Sequence, residues 1–408
     1  MHIRIVLSAQ YIMCFGVMGI MLPYFNLYCY YIHLSGFEIG MIGASRSFLM
    51  ILFGLLWGLL ADHFQNRRLL YIFCQCANAI ACLLLLHVHT FPYILLVVIV
   101  ASIFYAPLIS FMEAFTMDLI GNDKNAYGSI RLWGSIFFIV MVFCSGIMLE
   151  HFSHYIIIKM IVVGSLIQAG VSIIIPKTTE KIVHKKKISL TVFKQSSVII
   201  YLISAFTMLL AHGTYYSFAS IHLEQMGATS NEISTFWALG SIAEIFVMMN
   251  ARRIFKHFTV ENVMIFSFCI ASIRWLMMFY STSVLVAILT QLFHAITYGA
   301  FHIAGILHMD RCMPDETKTT GQAVNNAVSY GLGMMTGSFI NGYLFEWVGT
   351  YYSFLFSAIL SFLGGLLLWI TKKYCHRHFS WSSKKISSCS DVACDVSTRT
   401  LPQNEQYQ

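Results

Sequence analysis

Twelve apolar stretches, each long enough to cross a bilayer, fill this chain from Ile5 to about Ile370. A bilayer core takes about 20 apolar residues of helix. The stretches run over 5–31, 38–61, 69–88, 92–119, 129–150, 153–175, 197–222, 232–250, 262–280, 283–308, 319–345 and 349–371. Such a chain folds as an all-α membrane protein. Its 408 residues are 58% apolar and 11% charged, whereas soluble chains carry about 25% charged residues. The N-terminus, Met1 to Arg4 and then an apolar run to Tyr31, imitates a signal peptide. It has no small-residue cleavage site, so it reads as a retained first span.

Basic residues collect in alternate gaps. Arg67 and Arg68, Lys124, the run from Lys177 to Lys194, Arg252, Arg253 and Lys256, then Arg311 and Lys318 follow the even-numbered spans up to span ten. The tail adds Lys372, Lys373, Arg377, Lys384, Lys385 and Arg399. The other gaps, near His33, His89, His154, Glu224, Ser281 and Gly349, hold no Lys or Arg. The positive-inside rule then places both termini in the cytoplasm. It also accounts for the net charge of +7, which therefore carries no implication of a nucleic-acid partner. The eleven cysteines lie in spans, near cytoplasmic ends or in the tail, so no disulfide framework is expected.

The longest polar gap before the tail, KTTEKIVHKKKISLTVFKQ over 177–195, divides the chain into six spans and six spans. The halves echo each other. MDLIGNDKNAYGSIRLWGS after span four is matched by MDRCMPDETKTTGQAVNNAVSYGLG after span ten. Two parallel six-helix repeats joined by a cytoplasmic linker resemble the organisation of major facilitator transporters. The expected units are a first half over 1–176, a basic linker over 177–195, a second half over 196–372 and a disordered tail over 373–408. The tail's Cys and His residues lack zinc-type spacing, and no metal site is expected.

Charges inside apolar spans are costly and mark function. Glu113 stands about two turns inside span four, and Arg131 opens span five, 18 residues on across one tight turn. Antiparallel neighbours can bring them together, either as a clamp on a polar ligand or as a structural ion pair. Asp62, in GLLADHFQNRR, and Asp118 sit at cytoplasmic helix ends. There a carboxylate favours a helix N-terminus and can latch the halves. Arg67 and Arg68 read more simply as topology signals. His294, Tyr298 and His302 step by four in span ten and share a face. A histidine near its ordinary pKa suits a proton shuttle, and a packed face with satisfied ring nitrogens is the plainer reading. Arg274 lies in the preceding span, Glu244 in span eight and Arg46 inside span two. Three arginines against two glutamates tilt the interior towards an anionic substrate.

The stretch from Glu113 to Gly134 resembles the lactose permease class of oligosaccharide/proton symporters in EAF, Tyr127-Gly128, Arg131 and Gly134. That resemblance implies sugar binding by Glu113 and Arg131, and proton coupling by Arg274 and His294, which are 20 residues apart. The class's coupling Glu is Thr297 here, its span-eight sugar-binding Glu is Ser241, with Glu244 one turn on, and its span-seven acidic pair is Tyr216 and Ala219. A closer resemblance is to the phenylpropionate permease-like group. It rests on LPYFNLY, LSGFEIG, YGSIRLWGS, HAITYGAFHIA and GQAVNNAVSYGLG, and covers about 370 residues.

The resemblance implies a major facilitator fold of twelve transmembrane helices in two halves, a monomer in a bacterial inner membrane. The expected activity is proton-coupled symport of a small organic solute such as an aromatic carboxylate. Sugar or nucleoside symport, proton-driven efflux and a non-transporting sensor are the alternatives. The absence of a Walker loop excludes direct ATP drive, so the proton gradient is the expected energy source and no cofactor is expected. An intramembrane metal enzyme would need clustered histidines, and His151 with His154 lack partners. The expected substrate-binding residues are Glu113, Arg131, Glu244, Tyr298 and Arg46. Arg274, His294 and His302 are expected to couple protons, and Asp62 and Asp118 to gate.

Overall fold

The computed structural model describes residues 2–121, 123, 125–177, 190–314 and 317–378, and among them the regular structure is helical. Most of the linker and the tail beyond His378 lie outside the described residues. Among the described residues ten long helices precede the last pair: α1 His2–Tyr31, α2 Gly36–Phe64, α3 Arg67–Leu84, α4 Phe91–Ile120, α5 Asn125–His151, α6 Tyr155–Ser172, α7 Ser196–Gln225, α8 Ser230–His257, α9 Val260–Tyr280 and α10 Val284–Cys312. All ten are long and apolar enough to cross a membrane.

An eleventh stretch, Lys318–Lys373, is 56 residues long. It is two helices, because Gly349 stands at φ 80° inside it, a conformation open mainly to glycine. Thr214 shows that the chain reverses there. Its hydroxyl donates to Asn341 Oδ1 at 2.7 Å and lies 2.7 Å from Ser357 Oγ. In one straight helix those two residues would stand about 24 Å apart. The arms 318–348 and 350–378 are therefore α11 and α12, which completes twelve crossings.

Helix ends are set by short polar signals. Ser35 with Glu38 and Thr229 with Glu232 form reciprocal capping boxes before α2 and α8. Asp62 was expected to favour a helix start. Asn66 accepts from Leu69 N and caps α3, and Asp62 is exposed at the end of α2. Pro107 breaks α4 between Tyr105 and Leu108, as the missing N–H requires. Pro23 is accommodated within α1.

Contacts between the halves gather at the face opposite the termini. Tyr24 lies 2.6 Å from Ser234 Oγ, Asn26 donates to the Ser217 carbonyl, and Asn231 donates to Glu150. Gly146 allows this closeness, since a Cβ there would stand 2.0 Å from Ser234 Oγ. Tyr24 and Tyr28 are buried at this closed end. At the termini face, the ion pairs Arg4–Asp123 and Lys318–Asp310 each stay within one half.

Candidate functional site

Arg274 of α9 is fully buried in the second half. Its Nη1 donates to His294 Nδ1 at 2.9 Å and to Thr297 Oγ1 at 3.0 Å, and Nη2 donates to Gln291 Oε1 at 3.0 Å. The Tyr215 and Trp275 rings lie 4.7 and 4.4 Å from the guanidinium carbon, within cation–π range. On the other side of the imidazole, His294 Nε2 stands 2.9 Å from Glu244 Oε1. A guanidinium has donors and no acceptor. His294 Nδ1 must therefore accept, and its proton sits on Nε2, aimed at the carboxylate. One neutral ring links a permanent cation to an ionisable anion.

The local backbone builds this arrangement. After a tight 3₁₀ turn at Thr290–Phe293, α10 widens into a π turn at Ala295–Ala300. A second π turn occupies Ala327–Gly333 in α11. Such bulges recur at functional sites. The first carries Tyr298, which stacks on His294 at 5.1 Å and 14°. The second carries Tyr330, whose hydroxyl lies 2.6 Å from His302 Nδ1. Gly240 in α8 faces Gln291 and His294, and this close approach brings Glu244 inward. His302 lies within electrostatic range of Glu244.

The first half places its charges differently from the expected clamp. The Arg131 guanidinium lies 3.9 Å over the Phe15 ring and 5.7 Å from Tyr11. Glu113 is half-buried beside Tyr127, with Arg131 near but not ion-paired to it. Arg46 is half-buried beside Tyr105. Among the described residues, neither Arg46 nor Arg131 has a carboxylate within 4 Å. Across the boundary between halves, Arg131 is within electrostatic range of Glu244.

Both residues expected to gate lie at the termini face, Asp62 at the exposed end of α2 and Asp118 near the end of α4. Asp118 pairs with Arg67 at 3.0 Å inside the first half. Arg68, read as a topology signal, also donates to the Ile173 and Ile175 carbonyls and satisfies the end of α6. Sequence reasoning named His294, Arg274 and Glu244, but not the direct Glu244–His294 contact. It also missed Tyr215, Trp275, His212 and Tyr330. His212 packs against Trp275, His294 and Tyr298, and its position one turn before Tyr215 and Tyr216 was the available signal.

Comparison with known proteins bears on this geometry. Residues 4–356 match the model of the "MFS_1 like family". The "Uncharacterized transporter YwbF" of Bacillus subtilis (strain 168) is 26% identical over 383 residues, which cover 91% of this chain and 94% of that protein. The "Probable 3-phenylpropionic acid transporter" of Escherichia coli (strain K12) is 23% identical over 265 residues, covering 63% of this chain and 69% of that one. The crystal structure of the nucleoside transporter NupG superposes with a TM-score of 0.78 at 18% identity, over 92% of this chain and all of that one. At that identity the likeness establishes the major facilitator fold.

Proposed function

The chain belongs to the MFS_1 like family and is a secondary transporter of the major facilitator type; from that premise we propose that it couples protons to the symport of a small organic anion such as an aromatic carboxylate. The observation that carries the reading is the line Arg274–His294–Glu244. Glu244 is the proton-accepting group, and His294 holds it in register with the buried cation. Thr297, where the lactose permease class has its coupling carboxylate, donates nothing to this chemistry and instead accepts from Arg274. The carboxylate has in effect moved to α8.

Charge explains why two loads travel together. Among the proposed site residues, Arg46, Arg131 and Arg274 against Glu113 and Glu244 leave one excess positive charge. A bound monoanion alone cancels it, and a bound proton alone doubles it. The empty carrier and the carrier holding both loads have equal charge. A rearrangement tuned to that charge favours these two forms, because a ligand shifts a conformational equilibrium only by its differential affinity for the states. Arg131 and Arg46, which have no carboxylate within 4 Å among the described residues, are the anion-binding groups, and Tyr298 offers an aromatic face. A sugar clamp built on a Glu113–Arg131 ion pair fits less well, since Arg131 lies on Phe15 instead.

The protein works as a monomer in a bacterial inner membrane, termini in the cytoplasm. The test is uptake by proteoliposomes across a panel of aromatic acids, sugars and nucleosides, with and without an inward proton gradient. Gradient-dependent accumulation of an acid is expected. Equal uptake of that acid without the gradient would sink the coupling, and transport of sugars or nucleosides alone would sink the substrate class.

A further inference from the structure

We propose that a lateral cleft between α9 and α12, at the basic face, binds an anionic phospholipid. The cleft holds about 450 Å³ and is lined by Asn262, Ile265, Phe266, Cys269, Trp369, Lys372 and Lys373. Its chemistry is graded along the membrane normal. At the rim, Lys372 donates to Asn262 Oδ1, and the Lys373 ammonium lies 5.2 Å over the Trp369 ring. Below them the walls are Ile265, Phe266, Trp369 and Cys269, with both Phe266 and Trp369 about half-exposed to the surroundings. Asn262 and Cys269 are seven residues apart on one helix, so the apolar part descends about 10 Å. That depth suits the first part of an acyl chain.

The rim suits the headgroup. Among the described residues neither lysine has a carboxylate within 4 Å. Glu261 shares the adjoining cleft with Lys372, but Lys372 is turned to the neutral Asn262. Two ammonium groups are therefore held in place by a neutral amide and an aromatic face, with charge left over for a phosphate. Basic pockets between membrane helices recognise anionic headgroups, and Trp and Lys are typical interfacial anchors. The occupant is a lipid rather than a soluble phosphate, because the apolar walls open to the hydrocarbon and would otherwise face nothing that matches the rim. The inference is independent of the transported solute.

Native mass spectrometry of the purified full-length protein, offered equal phosphatidylglycerol and phosphatidylcholine, reads the site. The unmodified chain is expected to retain phosphatidylglycerol roughly tenfold over phosphatidylcholine, since each lysine near an anionic headgroup contributes up to about fivefold. The double variant Lys372→Gln, Lys373→Gln should erase the preference. Phe266→Trp, which narrows the cleft and keeps both lysines, should lower phosphatidylglycerol retention. Arg252→Gln with Arg253→Gln removes equal charge elsewhere on the same face and should leave the preference intact. Equal retention of both lipids by the unmodified chain would overturn the proposal. So would a preference that survives the lysine variant, one lost equally in the arginine control, or displacement of the lipid by inorganic phosphate.

Discussion

His294 is the residue on which the site turns, because its two nitrogens face opposite charges. A glutamine at 244 keeps an acceptor for the His294 proton but cannot titrate. Glu244→Gln is therefore expected to abolish gradient-driven accumulation while exchange of substrate across the membrane continues. Counterflow and accumulation measured on the same proteoliposomes check it, and full accumulation by this variant would remove Glu244 from the coupling role. His294→Phe keeps the ring that stacks on Tyr298 and deletes both polar contacts. Hydrogen bonds to charged groups contribute about 1.5–3 kcal/mol each, so this variant should melt at a lower temperature as well as lose coupled transport. An unchanged melting temperature would mean that the network is dispensable to the fold. Arg131→Ala should weaken binding of an acidic substrate without preventing membrane insertion, which equilibrium binding on purified protein reads.

Helix pairs supply the next scale. α7 and α11 approach so closely that a Cβ on Gly337 would stand 2.5 Å from the Leu210 carbonyl. Gly337→Val should destabilise the protein by about 1–3 kcal/mol, the usual cost of overpacking. Gly170→Ala, with nothing within 4 Å of the added carbon, should not destabilise it. Thermal denaturation of the pair tests whether this seam is as tight as described. The helices themselves were legible in the sequence, because apolar runs between cappable residues such as Ser35 and Thr229 leave little choice. Their rotations were less so. The 18-residue spacing of Glu113 and Arg131 puts them on neighbouring helices, yet Arg131 turns to Phe15, an aromatic indistinguishable in sequence from the lipid-facing ones. Glu244 points inward because Gly240 lets α8 approach His294, a packing effect that no local pattern encodes. The π turns are equally silent, since AITYGA and AVSYGLG would also suit ordinary helix, and the extra residue per turn is set by neighbours.

For the molecule as a whole, the twelve crossings put the ends of the bundle on one face, and the proposed orientation, read from the alternation of basic loops, turns that face to the cytoplasm. A reporter fused after Lys373 that works only when exported should stay silent, and strong activity would reverse the topology. The opposite face is held shut by contacts such as Tyr24–Ser234. Gly146→Leu should wedge it apart, because the added carbon would overlap Ser234. Faster hydrogen exchange in the first turns of α8 would report the opening, and unchanged exchange would show that the latch lies elsewhere. Gly349 has a different bearing, on how the chain is made. With one residue between them, α11 and α12 leave no loop to be threaded across the bilayer on its own. The two are therefore expected to enter the bilayer as a single hairpin, and truncation within α12 to leave α11 without its partner.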